Sequence, residues 1–395
     1  MFGLLLAVVY LSFVSLGLPD SLLGAAWPAM YGELHASLAG AGVISMVIAG
    51  GTIFSSLESD RLTKRLGTGR VTAISVAMTA AALFGFSHSR SFAALCVWAV
   101  PYGLGAGSVD ASLNNYVALH YASRHMNWLH CMWGIGASAG PYIMAYSLTS
   151  GMGWHMGYRA VAILQAGLTA VLFISLPLWP GERSGAAAGG ERRERPLSLG
   201  LSLPRAVKIK GVPFVLIMFF GYCALEQAAG LWASSYLVLS KGVPKEAAAG
   251  YAGLFFVGIT ASRLLSGFLS IKCGDKTMVR IGQALTGVGV VALMLPGGIP
   301  VALGALVVIG LGCAPIYPSL LHATPERFGT NCSQAVIGVE MASAYVGTCA
   351  VPPLFGALAG AAGTEWLPVC LWGLLAGMTV LHEMLLRRGR GGQGE

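Results

Sequence analysis

Apolar residues along the chain fall into blocks of about twenty, closed by charges or by Pro/Gly pairs, the length a helix needs to cross a hydrocarbon core roughly 30 Å thick. The blocks predict transmembrane helices near residues 4 to 31, 37 to 57, 70 to 88, 92 to 121, 127 to 151, 157 to 179, 211 to 239, 247 to 271, 277 to 295, 300 to 323, 331 to 361 and 366 to 386. The uncharged run from Ile281 to Pro325 is too long for one helix, and Pro296-Gly297-Gly298-Ile299-Pro300 divides it. The expectation is an all-α membrane protein with about twelve transmembrane helices. The first block has no basic leader and exceeds the apolar core of a signal peptide, so it is read as a retained span.

One long polar stretch interrupts the pattern. Residues 182 to 210 contain Ser184-Gly185-Ala186-Ala187-Ala188-Gly189-Gly190 and the charged run Glu191 to Arg195, a composition suited to a flexible linker. It separates a first half, residues 1 to 181, from a second, 211 to 387, with a polar tail at 388 to 395. Landmarks repeat between the halves at an offset of 211, Arg61 with Lys272 and Pro141 with Pro352. Two pseudo-symmetric six-helix halves with a solute site between them are a transporter architecture that works by rocking one half against the other.

Composition agrees. The chain is 55% hydrophobic and 10% charged, far below the roughly 25% charged of a soluble domain. Its net charge of +8 is spread between apolar blocks, which argues for topology and against nucleic acid. With the N-terminus inside, nineteen basic residues fall in the cytoplasmic loops and four in the others, with Arg263 inside a span. Both termini are therefore expected in the cytoplasm, in a multi-pass protein of the cytoplasmic (inner) membrane. The eight cysteines show no C-x-x-C spacing, and neither a metal cluster nor a nucleophile elbow nor a phosphate loop appears. The chain is expected to be a monomer, to hold no cofactor or metal and not to be an enzyme. Gly50-Gly51, Gly103-x-Gly105-x-Gly107 and Gly134-x-Gly136-x-x-x-Gly140 read as faces where helices approach closely.

The segment Ser56-Leu57-Glu58-Ser59-Asp60-Arg61-Leu62-Thr63-Lys64-Arg65-Leu66-Gly67 resembles the loop signature of the major facilitator superfamily, G-x-x-x-D-R-x-G-R-[RK], with Ser56 and Thr63 in place of its glycines. A degenerate second copy is Gly267-Phe268-Leu269-Ser270-Ile271-Lys272. Four further segments resemble the fucose/galactose/glucose:proton symporter branch: Gly17-Leu18-Pro19-Asp20, Asp110-Ala111-Ser112-Leu113-Asn114-Asn115-Tyr116, Gly221-Tyr222-Cys223-Ala224-Leu225-Glu226 with Gly230, and Val351-Pro352-Pro353-Leu354-Phe355-Gly356. In the second, Asp110 stands for the branch's Glu and Asn115 for its Pro. The resemblance implies a major facilitator fold and proton-coupled uptake of a sugar, with Asp110 the coupling acid and Asp20 binding hydroxyls or sharing the proton. It also implies a gating latch of Asp60, Arg61 and Arg65, with Lys272 in the second copy.

Four acids lie within spans, Asp20, Asp110, Glu226 and Glu340. A carboxylate at membrane depth costs about 2.5 to 3.5 kcal/mol on insertion scales, so it persists where it lines a polar cavity or moves protons. Arg263 is expected to pair with Glu340 toward the cytoplasmic side as a structural or gating pair, which leaves Asp20, Asp110 and Glu226 without a cation. His130 is a further candidate proton relay, a structural role being the alternative, and His322 has the same ambiguity. With no central cationic cluster, organic anions are disfavoured and a neutral sugar or polyol, or a cation, is favoured. Candidate contacts are Asp20, Asn114, Asn115, Glu226 and Gln227 for hydroxyls, and Trp27, Trp133 or Trp232 for an apolar sugar face. The competing reading is a proton-antiport exporter of drugs or other amphiphiles, because Gly136-x-x-x-Gly140-Pro141 resembles the core of an antiporter signature.

Overall fold

A computed structural model describes residues 2–121, 123–179, 207–269 and 273–391. The first half contributes α1 (Phe2–Asp20), α2 (Leu22–Glu33), α3 (Gly40–Leu66), α4 (Thr68–His88), α5 (Phe92–His120), α6 (Ser123–Thr149) and α7 (Gly153–Ser175). The second contributes α8 (Val212–Lys241), α9 (Lys245–Leu269), α10 (Asp275–Met294), α11 (Ile299–Cys313), α12 (Ile316–His322), α13 (Thr324–Phe328), α14 (Thr330–Ala362) and α15 (Leu367–Gly391). Among the described residues the regular structure is helical, and eleven stretches are long and apolar enough to cross a membrane. The span expected at 127 to 151 is also a helix, the 27-residue α6, which is more polar because His125 and His130 fall in its first eight residues. Most of the linker expected at 182 to 210 lies outside the described residues.

The ends of the helices alternate between two sides. One, here the basic end, carries Lys64, Arg65, Arg70, Arg280 and Arg327; the opposite end carries the turns after α2, α4, α6, α8, α10 and α14.

The first predicted span is two helices. α1 stops at Asp20, Ser21 forms a turn, and α2 continues. Pro19 explains part of the break: it has no N–H to give the carbonyl four residues back, which is that of Ser15. That carbonyl accepts instead from the side-chain amide of Gln165 on α7, whose oxygen in turn accepts from the Ser15 hydroxyl at 2.6 Å. The exchange satisfies a buried backbone group and fixes the bend next to Asp20.

α1 lies against α6 almost backbone to backbone. A methyl group at Gly17 would overlap the carbonyl of Trp133, and one at Gly136 the carbonyl of Val14, so this face needs the small residues that the sequence places there. Between the halves, α6 meets α9, α3 meets α14, and α2 packs on α8 and α9. At the opposite end the seam is tight. Gly42 sits on the backbone of Pro353, Gly24 on that of Leu231, and Ser234 donates to the carbonyl of Ala25 at 3.2 Å. Asp20 lies one helical turn from Gly24 of this seal and is exposed.

A central polar site between the halves

Four helices bring charged groups to the middle of the molecule. Asp20, at the bend of the first span, accepts from the Tyr102 hydroxyl of α5 at 2.9 Å and from the Trp133 indole of α6 at 2.8 Å. Asp110, further along α5, is half-buried and close enough to Asp20 for the two charges to interact. Its Oδ1 accepts from the amide of Asn114 one turn later, at 2.9 Å. The α5 sequence thus supplies an acid and its hydrogen-bond donor four residues apart, the spacing that puts both on one face.

The second half supplies the cation. Arg263 of α9 faces Glu226 of α8 at 3.8 Å, lies 4.8 Å from the centre of the Trp133 ring, and donates to the carbonyl of His130 at 3.5 Å. Its charge also reaches Asp110. A cavity of about 220 Å³ opens beside the pair, lined by Tyr222, Cys223, Tyr317, Met341 and Tyr345 among others. One carboxylate, Glu226, one guanidinium, Arg263, and the phenolic rings of Tyr222, Tyr317 and Tyr345 line this space, with Asp20 and Asp110 outside its lining.

Several expectations are corrected. Arg263 does not pair with Glu340. Glu340 is fully buried nearer the basic end, where its carboxylate accepts from the Thr324 hydroxyl at 2.9 and 3.1 Å and lies in the field of Arg327. α13 packs against α14, which brings Thr324 onto Glu340, whereas Arg263 on α9 meets Glu226 of α8. Glu226, expected to be without a cation, has Arg263.

Trp27 and Trp232 are not cavity residues in this conformation. Both are fully buried in the seal at the opposite end, with their indole groups donating to the carbonyls of Leu38 at 2.8 Å and Pro352 at 3.2 Å. Gln227 is at the edge of the seal, where its amide approaches Ser45 of the other half at 3.5 Å. The His130 imidazole packs edge-on to Phe13, 5.8 Å between ring centres, and is beside the central network through its backbone. Asn115 is exposed, next to but not part of the Asp110–Asn114 bond.

At the basic end, Arg61 pairs with Glu58 of its own helix at 3.1 Å, in a solvated setting where such pairs contribute little. Arg65 is exposed. Lys272 and the side chain of Asp60 lie outside the described residues.

The sequence did not single out Tyr102, Tyr222, Tyr317 or Tyr345. Tyr102 meets Asp20 across 82 positions of chain, and no local spacing signals such a contact.

The arrangement of two packed helical halves with a charged centre has counterparts. The model of the major facilitator superfamily matches residues 9–259 and 246–394. The chain belongs to the major facilitator superfamily. Two curated relatives extend along most of this superfamily member. The uncharacterized transporter y4wD of Sinorhizobium fredii is 26% identical over 371 residues, 91% of this chain and 92% of that protein. Bypass of stop codon protein 6 of Saccharomyces cerevisiae is 23% identical over 399 residues, 93% of this chain and 79% of that protein.

Among solved structures, a mutant of the nucleoside transporter NupG is similar with a TM-score of 0.75 at 17% identity, covering 96% of this chain and 98% of that one. A mutant peptide transporter POT in complex with sulfate gives 0.75 at 15% identity, covering 98% and 95%. At such identities the structural likeness concerns the fold. The chain is a multi-pass membrane transporter of the major facilitator type.

Proposed function

We propose that this transporter moves a small neutral polar solute, a sugar or polyol, by alternating access coupled to protons. The observation that carries the reading is that Asp20 and Asp110 are held by neutral donors, Tyr102, Trp133 and Asn114, while Arg263 is already engaged by Glu226 and Trp133. Acids at membrane depth without a cation of their own mark proton or solute pathways. Carboxylates and amides that accept and donate to hydroxyls suit a polyol. An organic anion would need a spare cation to offset its desolvation, and the central guanidinium here is shared among acids. The resemblance of four segments to the fucose/galactose/glucose:proton branch points the same way.

In this reading Asp110 carries the coupling proton, Asp20 meets the solute, and Glu226 with Arg263 forms the opposing wall. The basic end faces the cytoplasm of an inner membrane, as the positive-inside bias requires. No cofactor takes part; the proton gradient drives a monomer.

The test is uptake into proteoliposomes under an inward proton gradient, across labelled hexoses, pentoses, polyols and nucleosides. Concentrative uptake of one of these is expected. Asp110→Asn is expected to abolish accumulation while leaving exchange measurable, and Asp20→Asn to weaken binding. Normal accumulation in Asp110→Asn would overturn the assignment of the coupling acid. Efflux of hydrophobic cations driven by the gradient, with no uptake of any polyol, would overturn the symport reading in favour of an antiport exporter.

A further inference from the structure

Trp133 holds a charged group of each half at once. Its indole N–H donates to Oδ2 of Asp20 at 2.8 Å, while the guanidinium of Arg263 sits over its ring at 4.8 Å. Arg263 is in turn 3.8 Å from Glu226. An acid of the first half and an acid of the second are thereby joined through one indole and one guanidinium. The base of the ring is fixed, because the Trp133 carbonyl lies in the space that Gly17 leaves on α1. The edge of Phe256, 6.5 Å away between ring centres, bounds it on the α9 side.

We propose that Trp133 is the positioning residue that ties the protonation of Asp20 to the Arg263–Glu226 pair of the other half. The inference rests on the proton-coupled reading above. An indole N–H can only donate, so it answers the two states of Asp20 differently: the ionised carboxylate takes a charge-assisted bond about twice as strong as a neutral acceptor would. Donation to an anion also leaves the ring face more negative, which strengthens its attraction for a guanidinium. When Asp20 takes up a proton, the indole is held less firmly, the platform under Arg263 weakens, and Arg263 falls back on Glu226. Tyr102 cannot discriminate in this way, since a hydroxyl both donates and accepts and so stays bonded to Asp20 in either state.

The other ionisable groups facing this centre are Asp110 on α5, whose field reaches Asp20 and which lies in the field of Arg263, and Tyr158 on α7 behind Tyr102. Also facing it, all in the field of Arg263, are His130 and Cys131 on α6, Tyr222 on α8 and Cys313 on α11. From the second half also come Arg263 and, through it, Glu226. Trp133 is the piece of this network that touches both Asp20 and Arg263, which is what a rocking transporter needs at its seam.

The test reads the two ends separately by NMR on the whole protein in nanodiscs. The Trp133 indole N–H resonance is identified by its loss in Trp133→Phe, and the Arg263 Nε–H resonance by its loss in Arg263→Lys. In the wild type both are expected to shift with one midpoint as the pH falls, and in Asp20→Asn neither is expected to show that midpoint. In Trp133→Phe the Arg263 resonance is expected to lose the transition. An Arg263 signal that still follows Asp20 in Trp133→Phe overturns the proposal, and so does one that is silent in the wild type.

The same variant separates coupling from binding in proteoliposomes, using the solute that the uptake panel identifies. Proton-driven accumulation is expected to fall about tenfold or more beyond whatever loss exchange shows. Equal losses in both would make Trp133 a plain solute contact and overturn the coupling role. Should the wild type accumulate nothing while the two resonances still move together, the proton-coupled reading fails and the linkage through Trp133 stands.

Discussion

Glu226 on α8 and Arg263 on α9 face each other at 3.8 Å, each with 21% of its side chain exposed to the central space. The distance is too long for a direct hydrogen bond, and the pair is open to a third partner on its cavity side. Such a pair is a poor structural clamp, and in the proposed function it is a solute contact, since its charges can be met by a guest at small cost.

Removing one member should be felt by the other. Arg263→Ala is expected to lower the unfolding midpoint in detergent by an amount equivalent to about 1 kcal/mol, since the pair is partly solvated. Glu226→Ala added to it is expected to cost less than the sum of the two single changes. Thr324→Val, which leaves the buried Glu340 carboxylate without its hydroxyl donor, is expected to add independently to Arg263→Ala within about 0.5 kcal/mol. Strong coupling between Arg263 and Thr324 would restore the Arg263–Glu340 pairing that the structure replaces.

The seal at the opposite end depends on the absence of side chains. Gly42→Leu places a side chain into the backbone of Pro353, and the halves are then expected to stay apart at that end. Labelling of Ser45→Cys by a membrane-impermeant maleimide added from that side measures it. The rate is expected to rise about tenfold, corresponding to a population shift of about 1.4 kcal/mol. An unchanged rate would mean that the contact does not control access.

Gln165 is expected to be a stability residue. It is almost wholly buried and satisfies the Ser15 carbonyl that Pro19 leaves free. Gln165→Leu strands that carbonyl and the Ser15 hydroxyl, at about 1 to 3 kcal/mol. A fall in the unfolding midpoint that Pro19→Ala partly reverses, by restoring an N–H at position 19, would identify the carbonyl as the cause.

Trp27 separates a wall of the seal from a wall of the cavity. Trp27→Phe loses the bond to the Leu38 carbonyl, worth about 1 kcal/mol, and is expected to leave the KM for the transported solute within twofold of wild type. A KM raised tenfold with unchanged stability would return Trp27 to the solute site.

The positions of the helices were legible along the chain because membrane depth fixes their length and a bilayer forbids unsatisfied backbone, so apolar runs and their punctuation suffice. The glycine faces at Gly134-x-Gly136-x-x-x-Gly140 were legible for a related reason: only close backbone approach explains small residues at that spacing, and Gly136 and Gly140 do meet α1. The break after Asp20 was not, since one Pro in an apolar run can either kink a helix or be absorbed by it, and here Gln165, about 150 positions away, decides.

The chain by itself determined which residues are expensive in a membrane: Asp20, Asp110, Glu226, Glu340 and Arg263 stand out because desolvating a charge is costly wherever it lies. Their partners were decided only by tertiary structure. Arg263 could reach several acids, and a guanidinium's choice depends on crossing helices whose register no local spacing records. Trp27, Trp133 and Trp232 look alike in sequence, yet two close the seal and the third stands between Asp20 and Arg263. The physical reason is that burial is a property of where helices meet, and side chains of one kind acquire different roles from the face that the packing gives them.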